Sequence, residues 1–252
     1  EMMKTIKADI LIIATNVDER AKIIMEAKQY KFQNIICEKP LVKNYNELTK
    51  IKSLFKYNNP IIHTHYTRRY LKEFNQLKFK IQNARNDKIL FSTFYYTKGI
   101  FHNGVHFLDY VISLFGYPRK TIVISKKKSK SLKNDFLIDF VIYFSNFKIY
   151  FISFESGKLA SSDFKIVSEK SKIEVTSKRT IEYYIRGKNK LFNNLDEYKL
   201  LKSTKISYKK SFKNIINSVY SKKHFSNLKR EIEIYSLINN LLKKKNYEIK
   251  KI

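Results

Sequence analysis

Glycine, proline and cysteine are all scarce in this sequence, with five, three and one in 252 residues. So few chain-breaking residues exclude collagenous, linker and low-complexity classes, which need the opposite balance. The lone Cys37 can close no internal disulfide, and no basic stretch followed by an apolar one opens the sequence, so a reducing, cytoplasmic setting is expected. Arginine is scarce as well. Only eight of the 51 basic residues are arginine, the side chain whose planar fork suits phosphates and base edges. The formal charge of +29 therefore reads as lysine drift in an Ile-, Asn-, Phe- and Tyr-rich composition, not as a nucleic-acid footprint.

What is present is enough to fold. A hydrophobic content of 43%, with 15% aromatic residues, supports a packed core. Residues 135–154 are aromatic-rich and about as long as the roughly 20 residues that cross a bilayer, but Asp139 and Lys148 would then sit in lipid. Two strands, 136–144 and 149–154, joined by a polar turn at Ser145 and Asn146, account for the stretch better.

Residues 9–14 form a short apolar run of the kind a parallel strand shows when both its faces are covered. A helix over 18–30 follows, then a strand over 34–37. The next helix is marked by Asn44 as a cap with Glu47 three residues on, and by a stripe of Leu48, Ile51, Leu54 and Phe55. Asn58, Asn59 and Pro60 end it, and a strand over 61–66 completes a strand-helix-strand-helix-strand pattern. Beyond Arg69 the pattern predicts a helix over 70–82, a strand over 88–97 and a helix over 105–114. Antiparallel strands fill 120–186, and helices over 212–220 and 228–244 close the chain. The expected fold class is α/β plus α+β: a partial Rossmann-like parallel sheet, then a mostly antiparallel sheet domain with helices. The expected domains are residues 1–69 for dinucleotide binding and 70–252 for substrate binding and oligomerisation.

Ligands of an open parallel sheet bind beyond the carboxyl ends of its strands. The loops in question hold Ala14-Thr15-Asn16, Cys37-Glu38-Lys39-Pro40 and Tyr66-Thr67-Arg68-Arg69-Tyr70. Glu38-Lys39-Pro40, between a strand and a capped helix, resembles the E-K-P of the Gfo/Idh/MocA oxidoreductases, which include glucose-fructose oxidoreductase and inositol dehydrogenase. Upstream, Ile12 to Arg20 looks like the family's I-A-T-P-x-x-x-H segment. Gly104-Val105-His106-Phe107-Leu108-Asp109 looks like its D-x-G-x-H-x-x-D block, and the resemblance spans most of the chain.

The resemblance implies oxidation or reduction of a sugar, nucleotide sugar or cyclitol with NAD or NADP. It places Ala14, Thr15, Asn16, Arg20, Glu38, Lys39, Pro40 and Arg69 at the cofactor. Lys39 would hydrogen-bond the reacting oxygen, and His106, with an intrinsic pKa near about 6.5, would take the proton. His102 would assist, replacing the family's aspartate, and His102-Asn103-Gly104-Val105-His106 fits a branch that acts in surface-polysaccharide pathways. Lys39, Tyr96, Asn103 and His106 are the expected substrate contacts, although most residues placed like Tyr96 and Lys98, just before Gly99 at a cleft edge, are packing or solvent positions. A small sugar-type molecule and further copies of the same chain are the expected partners, with no membrane and no nucleic acid.

Other residues carry blander readings. Asp109 is as readable as a solvated or capping carboxylate as it is an orienter of His106. His63 and His65 alternate on a strand with no third ligand nearby, so no metal is expected. Arg68 and Arg69 are even between anion contact and capping, and His224 is read as surface or packing. The sequence departs from the family in one large respect: the G-x-G-x-x-G turn that brings backbone N–H groups to a pyrophosphate is missing, all five glycines lying at or beyond Gly99. With Glu1 in place of a methionine, the chain is therefore expected to enter the fold late, to leave a sheet edge uncovered and to bind cofactor weakly. The alternative expectation is a non-catalytic relative or truncated fragment that binds a partner or a sugar.

Overall fold

The structure is a computed structural model that describes residues 2–30, 32–55, 60–84, 86–155, 163–192, 194–221 and 228–245. Asn58, Asn59 and His224 lie outside the described residues.

The chain divides into two compact units, residues 1–70 with 209–240 and residues 71–208 with 241–252. The chain first passes from one unit to the other after Tyr70. The helices after residue 208 were expected in the second domain, yet residues 209–240 belong to the first unit, where their apolar stripes find their partners.

The first unit opens with the short helix α1 (Met2–Thr5), then β1 (Ile10–Ile13), α2 (Val17–Ala27), β2 (Asn34–Cys37), α3 (Tyr45–Leu54) and β3 (Ile61–Thr64). The three strands pair in parallel in the order β1-β2-β3. The Asn44 cap forms as expected: its side chain accepts the N–H of Glu47 at 3.0 Å, while Glu47 Oε2 accepts the N–H of Lys43 at 3.1 Å. Burial on both faces fails at β1. Leu11 and Ile13 are buried but Ile12 is 49% exposed, as befits an edge strand. A 3₁₀ turn (Thr67–Tyr70) follows β3. From later in the chain, α6 (Ser211–Tyr220) packs Ile215 and Val219 against Ile36 of β2. The helix α7 (Leu228–Lys243) buries Ile234, Tyr235 and Ile238.

The second unit contains α4 (Lys72–Asn83), β4 (Ile89–Tyr96), α5 (Val105–Phe115), β5 (Lys120–Lys128), β6 (Phe136–Tyr143), β7 (Lys148–Ser153), β8 (Phe164–Ser168), β9 (Ser171–Thr176), β10 (Thr180–Lys188) and β11 (Asp196–Lys205). All eight strands form one sheet, β11-β10-β9-β8-β4-β7-β6-β5. Every neighbouring pair is antiparallel except β4 with β7, which is parallel. The strand β11 had no counterpart among the expected elements.

A ladder of phenylalanines fixes the register of the four central strands. Phe164, Phe94, Phe151 and Phe140 are cross-strand partners on β8, β4, β7 and β6, with ring centroids 4.7, 5.3 and 4.4 Å apart and planes within 13°. Phe107 of α5 meets Phe94 edge-on at 5.2 Å. A one-residue slip would turn the whole ladder to the other face, so its burial specifies the pairing. It also seats the helix that carries His106.

Candidate functional site

Both groups of expected site residues stand at the ends of well-packed elements, one group in each unit. In the first unit, Ala14, Thr15 and Asn16 are exposed in the loop beyond β1, and Glu38, Lys39 and Pro40 are half-buried beyond β2. The Lys39–Pro40 peptide is cis. Arg20, only 7% exposed, ties these two loops together. Its Nε and Nη2 donate to the carbonyl of Thr15 at 2.9 and 2.7 Å, and its Nη1 donates to the carbonyls of Glu38 at 2.8 Å and Pro40 at 2.6 Å. The guanidinium was expected to touch a cofactor. Four of its five N–H groups go to backbone carbonyls, which makes Arg20 the clamp that sets the spacing of the loops.

A second fixing point is the side chain of Glu38. His65, just past β3, donates its Nδ1–H to Glu38 Oε1 at 2.8 Å. That hydrogen bond, aided by the backbone N–H of Lys39, holds the carboxyl of Glu38 below the ordinary glutamate range against the opposing effect of burial. The His65 ring meets Tyr70 at 6.1 Å and lies edge-on to Phe212 at 5.8 Å. Arg69 stacks its guanidinium over Tyr66, 4.9 Å from the ring centroid. His63 is buried too, bonded through Nε2 to Asn34 Oδ1 at 3.1 Å. Among the described residues no group of three His, Cys, Asp or Glu side chains could hold a metal ion.

Beneath these loops lies a buried polar layer. Tyr66 donates to Glu231 Oε2 at 3.0 Å, both side chains having no exposure, and Tyr235 donates to the carbonyl of Val42. Burial pushes the Cys37 thiol up to about 12, so Cys37 is a packed hydrophobe rather than a nucleophile.

In the second unit, Tyr96, His102, Asn103 and His106 occupy β4, a π-helical turn (Ile100–Gly104) and the first turn of α5. Gly99 starts the turn with φ 100° and ψ 165°, a region almost closed to other residues. Its carbonyl accepts the N–H groups of Asn103 at 3.0 Å and Gly104 at 3.1 Å. Asp135, 5% exposed, accepts the N–H of Phe101 at 3.1 Å, of His102 at 2.9 Å and of Phe136 at 2.7 Å. Burial raises the Asp135 carboxyl above the ordinary aspartate range although these N–H groups oppose the shift. His102, Asn103 and His106 are all half-buried on this frame, and Asn103 Nδ2 donates to Thr97 Oγ1 at 3.4 Å.

Two expectations change. Tyr96 has no exposure, and its hydroxyl donates to the carbonyl of Ile138 at 2.7 Å and accepts the N–H of Ile138 at 3.1 Å. It braces β4 against β6 and is not placed to meet a substrate. Asp109 is 1% exposed, which removes the solvated reading. The roles of Arg20, His65, Gly99 and Asp135 went unread in the sequence. Only the positive φ of Gly99 had a signal there, in the glycine itself.

No protein-family model and no curated protein sequence matches the chain. Solved structures do resemble it. A Bacillus cereus oxidoreductase superposes with a TM-score of 0.72 at 11% identity, over 99% of this chain and 83% of its own. For a Chromobacterium violaceum dehydrogenase the values are 0.74, 12%, 96% and 78%. For the UDP-N-acetylglucosamine 3-dehydrogenase of Acidithiobacillus ferrooxidans they are 0.70, 11%, 93% and 77%. At such identities the likeness shows the fold, a Rossmann-like parallel sheet with a larger mixed sheet and helices.

Proposed function

We propose that this chain is a Gfo/Idh/MocA-type oxidoreductase that uses NAD or NADP to interconvert hydroxyl and carbonyl groups on a sugar, nucleotide sugar or cyclitol. A cytoplasmic step of surface-polysaccharide synthesis is its proposed setting. The observation that carries the reading is the Glu38-Lys39-Pro40 loop, held at the carboxyl end of β2 by Arg20 and by the Glu38–His65 hydrogen bond. The shared fold, and the nucleotide-sugar dehydrogenase among its neighbours, support the choice of chemistry.

The residues fit the nicotinamide end of such a cofactor. Thr15 and Asn16 are exposed beyond β1 and can hydrogen-bond a ribose or a carboxamide, with Glu38, Lys39, Pro40 and Arg69 beside the neighbouring strand ends. The nicotinamide supplies hydride exchange when bound. Lys39 would donate a hydrogen bond to the reacting oxygen and stabilise its developing negative charge. His106 would hold the proton that leaves that oxygen, with His102 and Asn103 orienting the sugar. In this reading residues 1–70 with 209–240 bind the dinucleotide, and residues 71–208 bind substrate and carry the contacts between copies.

The test is a fluorescence titration with NADH and NADPH, followed by turnover on a panel of nucleotide sugars and inositols. Lys39→Ala should lower turnover on the order of 10³-fold without changing the melting temperature. Failure to bind either dinucleotide, or full turnover in Lys39→Ala, would overturn the reading.

A further inference from the structure

We propose that the second unit carries a binding site for a medium-chain carboxylate, in a cavity of about 250 Å³ where the last turn of α4 meets the start of β4 and the strands β8 to β11. Register sets its floor. Phe164, Ile166 and Ser168 alternate onto one face of β8, and Phe164 meets Phe74 of α4 at 6.5 Å, so this is the face that α4 covers. Ile173 stands opposite Ile166, and Tyr183 opposite Ile173, which carries the same face across β9 to β10, where Ile185 pairs with Ser171. The helix stops at Asn83, so Lys80, Ile81 and Ala84 form one wall, and the outer strands are left with Ile185 50% and Leu201 63% exposed. The cavity lies at the Ile89 end of β4, roughly 23 Å along the strand from Tyr96. It is therefore separate from the residues proposed for hydride chemistry, and its occupancy does not depend on them.

The lining says which ligand fits. Ile81, Ile89, Ile166, Ile173, Ile185 and Leu201 make it aliphatic, and Tyr184 is the one ring among the described lining residues. The hydroxyls are those of Ser168, Ser171 and Tyr184, and Ser171 already donates to Asp87 while Tyr184 donates to Glu182 at 2.7 Å. A sugar or ribose would bury most of its own hydroxyls unpaired there. The volume also lies below the roughly 300–1,000 Å³ of ordinary ligand pockets. At roughly 30 Å³ for each water-sized group it holds about eight carbons of an alkyl chain. Charge fixes the head group. Lys80 and Lys170 are both exposed, which puts their ammonium groups at the mouth, and Lys80 Nζ stands 4.2 Å from the centroid of the Tyr183 ring. The acid beside them, Asp87, accepts the N–H of Lys170 at 2.8 Å as well as the Ser171 hydroxyl, so it is engaged with the β8–β9 turn and leaves the mouth net positive. An alkyl chain laid against Ile173, Ile185 and Leu201, with its carboxylate between the two ammonium groups, covers apolar surface that otherwise faces water.

Isothermal titration calorimetry of the full chain with straight-chain carboxylates, hexanoate through tetradecanoate, tests the proposal. Affinity should rise about fourfold per methylene and level off near decanoate, where the cavity is full, at a dissociation constant on the order of 0.1 mM with one site per chain. Decanol, the same chain without the charge, should bind about tenfold more weakly. Lys80→Ala with Lys170→Ala should lower decanoate to the level of decanol. Ala84→Trp, at an exposed helix end, should fill the cavity and abolish decanoate binding with an unchanged circular-dichroism spectrum. Leu201→Glu, which changes an exposed side chain and so leaves packing alone, should weaken it about tenfold by repelling the carboxylate. Affinity that keeps climbing to tetradecanoate, or that survives Ala84→Trp and Leu201→Glu alike, would mark non-specific coating of a chain of charge +29 and overturn the proposal. Decanol binding as tightly as decanoate, or no binding by any carboxylate in the series, would overturn it too.

Discussion

The frame that presents His102 and His106 can be broken with a single methyl group, at Gly99. Both Gly99 and Gly116 have positive φ, 100° and 80°, with ψ near the extended value, so alanine at either pays the same kind of backbone strain, about 1–3 kcal/mol. They differ in what the methyl meets. At Gly116 nothing lies within 4 Å, whereas at Gly99 a Cβ would stand 2.3 Å from Asp135 Cγ and 2.5 Å from both its oxygens. That carboxylate is tethered by three backbone N–H groups and cannot step aside without releasing hydrogen bonds to a charged acceptor, worth about 1.5–3 kcal/mol each. Alanine also recovers about 0.4–1 kcal/mol by stiffening the unfolded chain. Gly116→Ala should therefore cost about 1 kcal/mol and Gly99→Ala about 4 or more. Gly187→Ala, whose Cβ meets Lys199 at an ordinary 3.6 Å, should be neutral or slightly stabilising. Urea unfolding of the three variants measures the series. In an Asp135→Ala background the cost of Gly99→Ala should fall to that of Gly116→Ala, because the collision is gone. A Gly99→Ala cost equal to that of Gly116→Ala in the native background would refute the reasoning.

Arg20→Lys should destabilise by about 2–4 kcal/mol, because one ammonium cannot span the carbonyls of Thr15, Glu38 and Pro40, and hydrogen exchange at residues 38–40 should quicken. No change in the urea midpoint would return Arg20 to the cofactor contacts. Phe94→Ala removes the ring that touches Phe164, Phe151 and Phe107, and should cost about 3–5 kcal/mol, read by the same unfolding experiment. For pH, the sign follows from Glu38, whose folded pKa lies below its unfolded value of about 4.3. Its contribution is complete above that value and disappears as pH falls through the folded pKa. The stability gap between the native chain and Glu38→Gln should therefore be constant near neutrality and close in acid. A gap that widens on acidification would contradict the hydrogen bond from His65.

The elements legible in the sequence are those whose side chains report their own burial. The short strand at 34–37 and the cap and stripe over 44–55 placed β2 at its observed bounds and α3 within a residue of its Asn44 cap, because those signals are local. The strand β11 escaped notice for the same reason reversed. It is exposed on both faces over most of its length, so no apolar period marks it. The helix over 228–244 was visible from its periodicity, but periodicity states that a face is buried and not against what. That is why residues 209–240 were placed in the wrong unit. The candidate site divides along a similar line. Lys39 and His106, the proposed reacting groups, stand in short motifs whose spacing can be recognised. The groups that hold them act on backbone: Arg20 on three carbonyls, Asp135 on three N–H groups, the Tyr96 hydroxyl on Ile138. A side chain bonded to backbone has no partner whose identity could betray it, since any residue presents the same carbonyl. Such framing residues become readable only once the fold has brought their targets within reach, and in this chain those residues set where the proposed reacting groups stand.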